Sequence, residues 1–168
     1  MNFKDRRLWA VLAVIMVLSA ALLMKVFERR REAVEGLTFE VSARSEIERA
    51  LSSGLPVMID FGSEYCGPCR AMESELIWAE ALVRGKGIIL FADVWKDSSL
   101  AEGFPLRVIP TQFFFNRDGT PLAVPKDDQL GLFEYRDGSG RHVYTIHEGP
   151  LTSHQILGLF RLMGVDVE

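Results

Sequence analysis

Cysteine is scarce. The chain of 168 residues has only two, in the tetrad Cys66-Gly67-Pro68-Cys69. That excludes a disulfide framework, and a staple closing so short a loop would constrain the unfolded chain very little. It also excludes a four-cysteine zinc site, and the histidines, His142, His147 and His154, lie far from both thiols in sequence, so no metal site is expected. Their irregular spacing reads as surface or capping residues. No strong charge of one sign is present: 19 Lys and Arg stand against 23 Asp and Glu, a net −4. The basic surface of a nucleic-acid partner is therefore missing. Neither repeats nor low-complexity tracts occur.

What the chain does have is one long apolar run. Leu8 to Met24, LWAVLAVIMVLSAALLM, is apolar except for Ser19, whose hydroxyl can bond back to its own helix. Such a helix is about 26 Å long, at the short end of a membrane crossing. Lys25 can snorkel and let Val26 and Phe27 lengthen the span. The alternative is a cleaved secretory signal, with Lys4, Arg6 and Arg7 as the basic flank and Ser19-Ala20-Ala21 as small residues. The apolar run continues past those residues, which favours a retained anchor. Arg29, Arg30 and Arg31 balance the basic residues on the other side, so charge alone does not orient the span. The expected organisation is a membrane anchor over 1–27, in contact with lipid through 8–27, a charged spacer over 28–41 and one domain over 42–168.

Within the domain the apolar period alternates between helix and strand. Residues 45–53 place Ile47, Ala50 and Leu51 on one helical face, stopped by Gly54 and Pro56. Residues 56–61, PVMIDF, form a short apolar run between breakers and predict a buried central strand. A helix follows the cysteine turn, with Met72, Leu76, Ile77 and Trp78 among its apolar positions, ending near Gly85 or Gly87. Residues 88–95 predict the next strand. Asp97 or Ser98 can cap a short helix over 100–104. Residues 112–115 read as a strand buried on both faces, and Trp78 and Trp95 as core. Turn signatures stand at Asn116-Arg117-Asp118-Gly119 and at Asp137-Gly138-Ser139-Gly140, the second between short strand-like runs within 136–144, and a closing helix over 152–163 is capped by Thr152 or Ser153. This order predicts an α/β domain, a central mixed sheet flanked by helices, with a right-handed crossover between its parallel strands.

Two thiols this close, between a strand and a helix, suggest reactivity. The helix start offers N–H groups and the positive end of the dipole, which favour thiolate and lower the Cys66 pKa below the free value of about 8.5. The thiolate is the attacking species in disulfide exchange. Cys69, one turn further in, is more protected and resolves the mixed disulfide. Pro68 suits a first helical turn because its missing N–H loses no bond, and Gly67 leaves the backbone open to a substrate.

Ile59-Asp60-Phe61-Gly62-Ser63-Glu64-Tyr65-Cys66-Gly67-Pro68-Cys69 is similar to the active-site segment of thioredoxins, and Ile109-Pro110-Thr111 resembles their second signature. The resemblance covers roughly residues 41–119 and 145–164. It implies a thioredoxin fold, which here follows the one N-terminal transmembrane helix expected from the apolar run. It makes Pro110 a cis proline facing the cysteines, against the alternative of an ordinary trans loop proline, and has Ile109 offer its backbone to an extended substrate. Asp60 falls where the family keeps a buried carboxylate that relays protons to the inner cysteine; the alternative is an edge-of-strand Asp bonded to backbone. Burial would raise its pKa and suit it to acid–base work near neutrality.

Two departures stand out. Tyr65 replaces the usual Trp, keeping an aromatic lid beside Gly67 and Pro68. Residues 120–143 exceed a tight hairpin and read as a surface insertion or a recognition loop. Glu64 either tunes the thiols or is simply solvated.

The resemblance implies a protein-disulfide reductase that needs no cofactor and acts on protein thiols and disulfides. It further implies a tethered, extracytoplasmic protein, fed by a multi-span membrane thiol donor, with apocytochrome c thiols as one class of target. The alternatives are an oxidase or isomerase of exported proteins and a non-catalytic binding module; the second is disfavoured because both cysteines are present.

Overall fold

The computed structural model describes residues 9, 12–22, 24–25 and 39–167. The chain divides into two compact units, Met1–Gly36 and Leu37–Glu168. In the first, the described residues are helical and exposed, Val14, Met16, Val17 and Leu18 among them. Ser19 Oγ donates to Met16 O at 2.9 Å, the back-bond that hides a hydroxyl in an apolar helix. Among the described residues no helix is long and apolar enough to cross a membrane. The basic flanks and most of the 28–41 spacer lie outside the described residues.

The second unit is a five-stranded mixed sheet: β1 (Val57–Gly62), β2 (Ile88–Asp93), β3 (Thr111–Phe115), β4 (Phe133–Arg136) and β5 (His142–Glu148), in the order β2-β1-β3-β5-β4. β1 and β2 are parallel; every other pair is antiparallel. The helices are α1 (Arg44–Leu51), α2 (Gly67–Val83) and α3 (Ser153–Leu162), with a 3-10 turn at Ser98–Ala101. α2 is the crossover that a parallel pair requires.

β1 and β3 are buried along their whole length, as an inner strand between helical layers must be. Alternation sorts their side chains. Met58 and Phe114 join Met72, Leu76, Ile156, Leu157 and Phe160 in the core under α2 and α3. Phe61 and Phe113 point to the other face, where they meet Phe104 with ring centroids 4.9–5.4 Å apart. By the same period of two, Asp60 and Gly62 of β1 share the α2 face with Met58.

Several boundaries differ from the expectation, each for a local reason. β2 stops at Asp93 rather than Trp95, because Asp93 Oδ1 accepts from Trp95 N and Lys96 N and turns the chain. Trp95 is therefore 62% exposed, not core. Trp78 is also exposed, because α2 buries Cys69, Met72, Leu76, Ala79 and Val83, a stripe that leaves Ile77 and Trp78 on the outer side. The short helix begins earlier than expected, at Ser98, where Asp97 Oδ1 caps Ser99 N at 2.9 Å. Residues 39–41, expected in the spacer, run along the free edge of β2: Phe91 N donates to Phe39 O at 2.7 Å and Val41 N to Phe91 O at 2.9 Å.

The 120–143 region is more than a long hairpin. After the turn at Asn116–Gly119, Pro121 bridges Phe115, residues 122–132 bury Leu122 and Leu132, and the chain returns as β4 at the sheet edge. α3 opens on a capping box, Thr152 with Gln155.

Candidate active site

β1 delivers the chain to a turn held by one carboxylate. Asp93 Oδ2 accepts from Glu64 N at 3.0 Å and from Ser63 Oγ at 3.3 Å. Burial opposes charge on Asp93, but the N–H groups of Glu64, Lys96 and Trp95 overcome it and hold the carboxyl below its ordinary value. Cys66 N donates back to Ser63 O at 3.1 Å, and Cys66 becomes the N-cap of α2. Its sulfur takes the place of a capping oxygen: Cys69 N donates to Cys66 Sγ at 3.3 Å. A capping site favours negative charge, so the geometry that shapes the helix start also favours thiolate on Cys66 once the bond is open.

Cys66 and Cys69 are joined as a disulfide, with Cα atoms 5.2 Å apart. Both are nearly buried, at 7% and 5% exposure, while Gly67, Pro68 and Tyr65 are exposed around them. A Cβ on Gly67 would meet nothing within 4 Å, so the space over the tetrad is open to a partner. At Gly62 the reverse holds: a Cβ would sit 2.8 Å from the Phe91 ring and 3.5 Å from Cys69 Sγ. Glycine there lets the sheet close on the inner cysteine.

The Ile109–Pro110 bond is cis, and Ile109 O lies 3.8 Å from Cys66 Sγ. Thr111 Oγ1 donates to Val108 O at 2.8 Å, and Gly149 N donates to Pro110 O at 2.9 Å, which fixes this loop against the tetrad. Val108 beside it is half exposed.

Asp60 is 1% exposed. Oδ1 accepts from Gln112 Nε2 at 2.8 Å, while Oδ2 has no hydrogen-bond partner among the described residues. Burial pushes its pKa up to about 7, against the lowering effect of Gln112. Gln112 Nε2 also lies 3.6 Å from Met72 Sδ, one turn beyond Cys69 on α2. The carboxyl thus sits beneath the start of α2, on the strand face that Gly62 turns toward Cys69.

Glu64 is exposed and pairs with Lys96 at 3.1 Å, an arrangement of small energetic weight. A cleft of about 210 Å3 opens on this side of Cys69, lined in part by Glu64, Arg70, Glu73, Phe91 and Lys96.

Cys66, Cys69, Ile109 and Pro110 meet at the tetrad, and Asp60 lies on the strand face beneath α2. Gln112 was not among the expected site residues, and His147, expected at the surface or as a cap, is 8% exposed; His147 Nδ1 lies 2.7 Å from Gln112 Oε1. Burial lowers its pKa, against neighbouring carboxylates and backbone bonds. A Gln inside an apolar strand was the available signal, because polar groups at such positions need a buried partner. Of the other histidines, His154 is exposed, and His142 Nε2 lies 2.9 Å from both Tyr144 O and Thr145 Oγ1.

The thioredoxin family profile matches residues 39–129, from the β2 edge into the first part of the 120–143 region. The chain belongs to the thioredoxin family. It is 32% identical over 101 residues to a thioredoxin of Synechocystis, covering 58% of this chain and 94% of that one. It is 34% identical over 93 residues to a probable thioredoxin-2 of Caenorhabditis elegans, covering 51% of this chain; the chain spans 61% of that relative's length. A solved structure of chloroplastic thioredoxin z superposes with a TM-score of 0.53 at 20% identity, over 76% of this chain and 95% of that one, a likeness of fold. Thioredoxin membership and the bonded Cys66–Cys69 pair together support protein-disulfide oxidoreductase activity.

Proposed function

We propose that the domain reduces disulfides in other proteins, with Cys66 as nucleophile, Cys69 as resolving thiol and Asp60 as the base that serves Cys69. The observation that carries this reading is Cys66 Sγ at the head of α2, 3.3 Å from Cys69 N, above the buried Asp60 carboxyl, whose Oδ2 has no partner among the described residues. In the reduced protein the Cys66 thiolate attacks one sulfur of the partner's disulfide. A mixed disulfide forms, and the partner's other sulfur leaves as a thiolate that takes a proton. Cys69 gives its proton to Asp60 and attacks the Cys66 sulfur. The Cys66–Cys69 bond closes and the partner's second thiolate departs. The partner gains two electrons and the dithiol loses them. Tyr65, Gly67 and Pro68, with the Ile109–Pro110 backbone, form the surface on which the partner's chain lies; the exposure of the first three supports that role.

Location is part of the same proposal. The apolar N-terminal segment tethers the domain to a membrane, facing away from the cytoplasm, where a multi-span thiol donor resupplies electrons and exported proteins, apocytochrome c among them, are reduced. The exposed apolar helical residues 12–22 support the tether.

Insulin reduction tests the chemistry. The wild-type protein is expected to reduce insulin, and Cys66→Ser to lose at least about a hundredfold of that rate, since no other thiolate is placed to attack. A reduction potential of about −270 mV fits a reductant; one of about −120 mV makes the protein an oxidant.

A further inference from the structure

Asp60, Gln112 and His147 come from three different strands, yet they form one row. Asp60 pairs with Gln112 across β1 and β3, and Gln112 pairs with His147 across β3 and β5. All three are nearly or fully buried. The α2 and α3 side chains over this sheet face are otherwise apolar, among them Met72, Leu76, Ile156, Leu157 and Phe160. Three polar groups in an apolar layer are costly unless each is bonded, and they are bonded to one another.

The chemistry of the row fixes its polarity. An ionised carboxylate only accepts, and a carboxyl protonated on Oδ2 still accepts at Oδ1, so Gln112 turns its NH2 to Asp60 and its carbonyl to His147. The carbonyl only accepts, so His147 must hold its proton on Nδ1. With that tautomer the amide cannot flip without losing both bonds. Asp60 Oδ1 is then permanently occupied, and Oδ2 alone remains free.

We infer that Gln112 and His147 are positioning residues for thiol–disulfide exchange: His147 locks the Gln112 amide, and the amide holds Asp60 so that Oδ2 is the oxygen that trades a proton with Cys69. This rests on the reading of Asp60 as the base for Cys69. The amide also favours the charged carboxylate and so offsets part of the effect of burial, which keeps Asp60 near neutrality instead of fully protonated. The titratable and charged groups around the row are Cys69 on α2, Asp128 and Glu148 near His147, and Arg70, Glu73, Glu64 and Lys96 along the cleft beside Cys69. β2 presents Phe91 opposite Asp60. Burial lowers the His147 pKa and raises that of Asp60, so the two shifts run in opposite directions.

The test is the pH profile of insulin reduction, together with a carbon-13 titration of the Asp60 carboxyl in the reduced protein. Gln112→Met keeps the volume and removes the donor. Its Asp60 midpoint, and the limb of the rate profile that follows it, are expected to rise by about one pH unit, the size of one hydrogen bond to a charged group. His147→Leu is expected to move both in the same direction, and His147→Gln, which again donates to the Gln112 carbonyl, to restore them. A purely structural role would lower melting temperature in His147→Leu and leave the midpoint where it was; that result overturns the inference. Should Gln112→Met not fold, the two His147 variants decide alone. Asp60→Asn separates the layers: if it leaves the rate limb intact, the assignment of Asp60 as base is wrong, whereas if it abolishes the limb and the Gln112 and His147 variants do not shift it, only the positioning role is wrong.

Discussion

At the scale of single residues, Asp60 is where burial and function oppose one another. Its folded pKa of about 7 lies above the unfolded value near 3.8, so the folded protein holds a proton that the unfolded chain has lost. The sign follows from linkage: the contribution of Asp60 is most favourable below pH 4, is lost progressively as pH rises through about 7, and is constant above that. The full change is on the order of 4 kcal/mol. Asp60→Asn removes it. Chemical denaturation is expected to find Asp60→Asn gaining on the wild type between pH 5 and pH 8, with little further change above; parallel stability curves over that range would contradict the assigned burial. Asp60 and the cysteines were legible because they sit in one short segment whose residue types carry the chemistry. Gln112 and His147 were not, because strand register brings them together across separations of 52 and 35 residues. A single sequence carries no register until the sheet order is known.

At the scale of elements, α2 has two jobs set by different residues. Its first turn presents sulfur; its buried stripe holds that turn against the sheet. Leu76 is 2% exposed and Trp78 is 57% exposed, although both read as apolar positions in the sequence. Leu76→Ala is expected to cost about 2–5 kcal/mol through lost burial and a cavity, and Trp78→Ala to stay within about 0.5 kcal/mol. Equal losses in urea denaturation would place the wrong face of α2 against the core. The helix and strand order was readable from periodicity, since each element buries one face or two. Its ends were less so. Asp93 closes β2 with its own side chain, and Val83 ends α2 just before Gly85, whose φ of +78° stops the helix.

At the scale of the whole molecule, the mixed sheet places the helix start of α2 beside the cis Ile109–Pro110 bond, and residues 39–41 complete the β2 edge. The Leu37–Glu168 unit is expected to fold and to reduce insulin at the full-length rate by itself, because the tetrad, Asp60 and the proline loop all lie inside it. A chain begun at Ser42 loses the two main-chain bonds to Phe91 and the buried Val41, and is expected to be less stable by about 2–4 kcal/mol. Thermal melts of the two fragments decide; identical curves would show that the edge contributes nothing. The sheet and its crossover could be foreseen from the alternation of apolar runs. The strand-like runs on either side of the Asp137–Gly140 turn were readable too, but the start of β4 was not, because Phe133–Arg136 is mostly exposed.

The proposed exchange requires Cys66 to be acidified by its place at the start of α2. Alkylation of reduced Cys69→Ser by iodoacetamide, followed across pH, reads the Cys66 thiolate directly. The expected midpoint lies clearly below the free-thiol value of about 8.5; a midpoint at or above it would contradict the account.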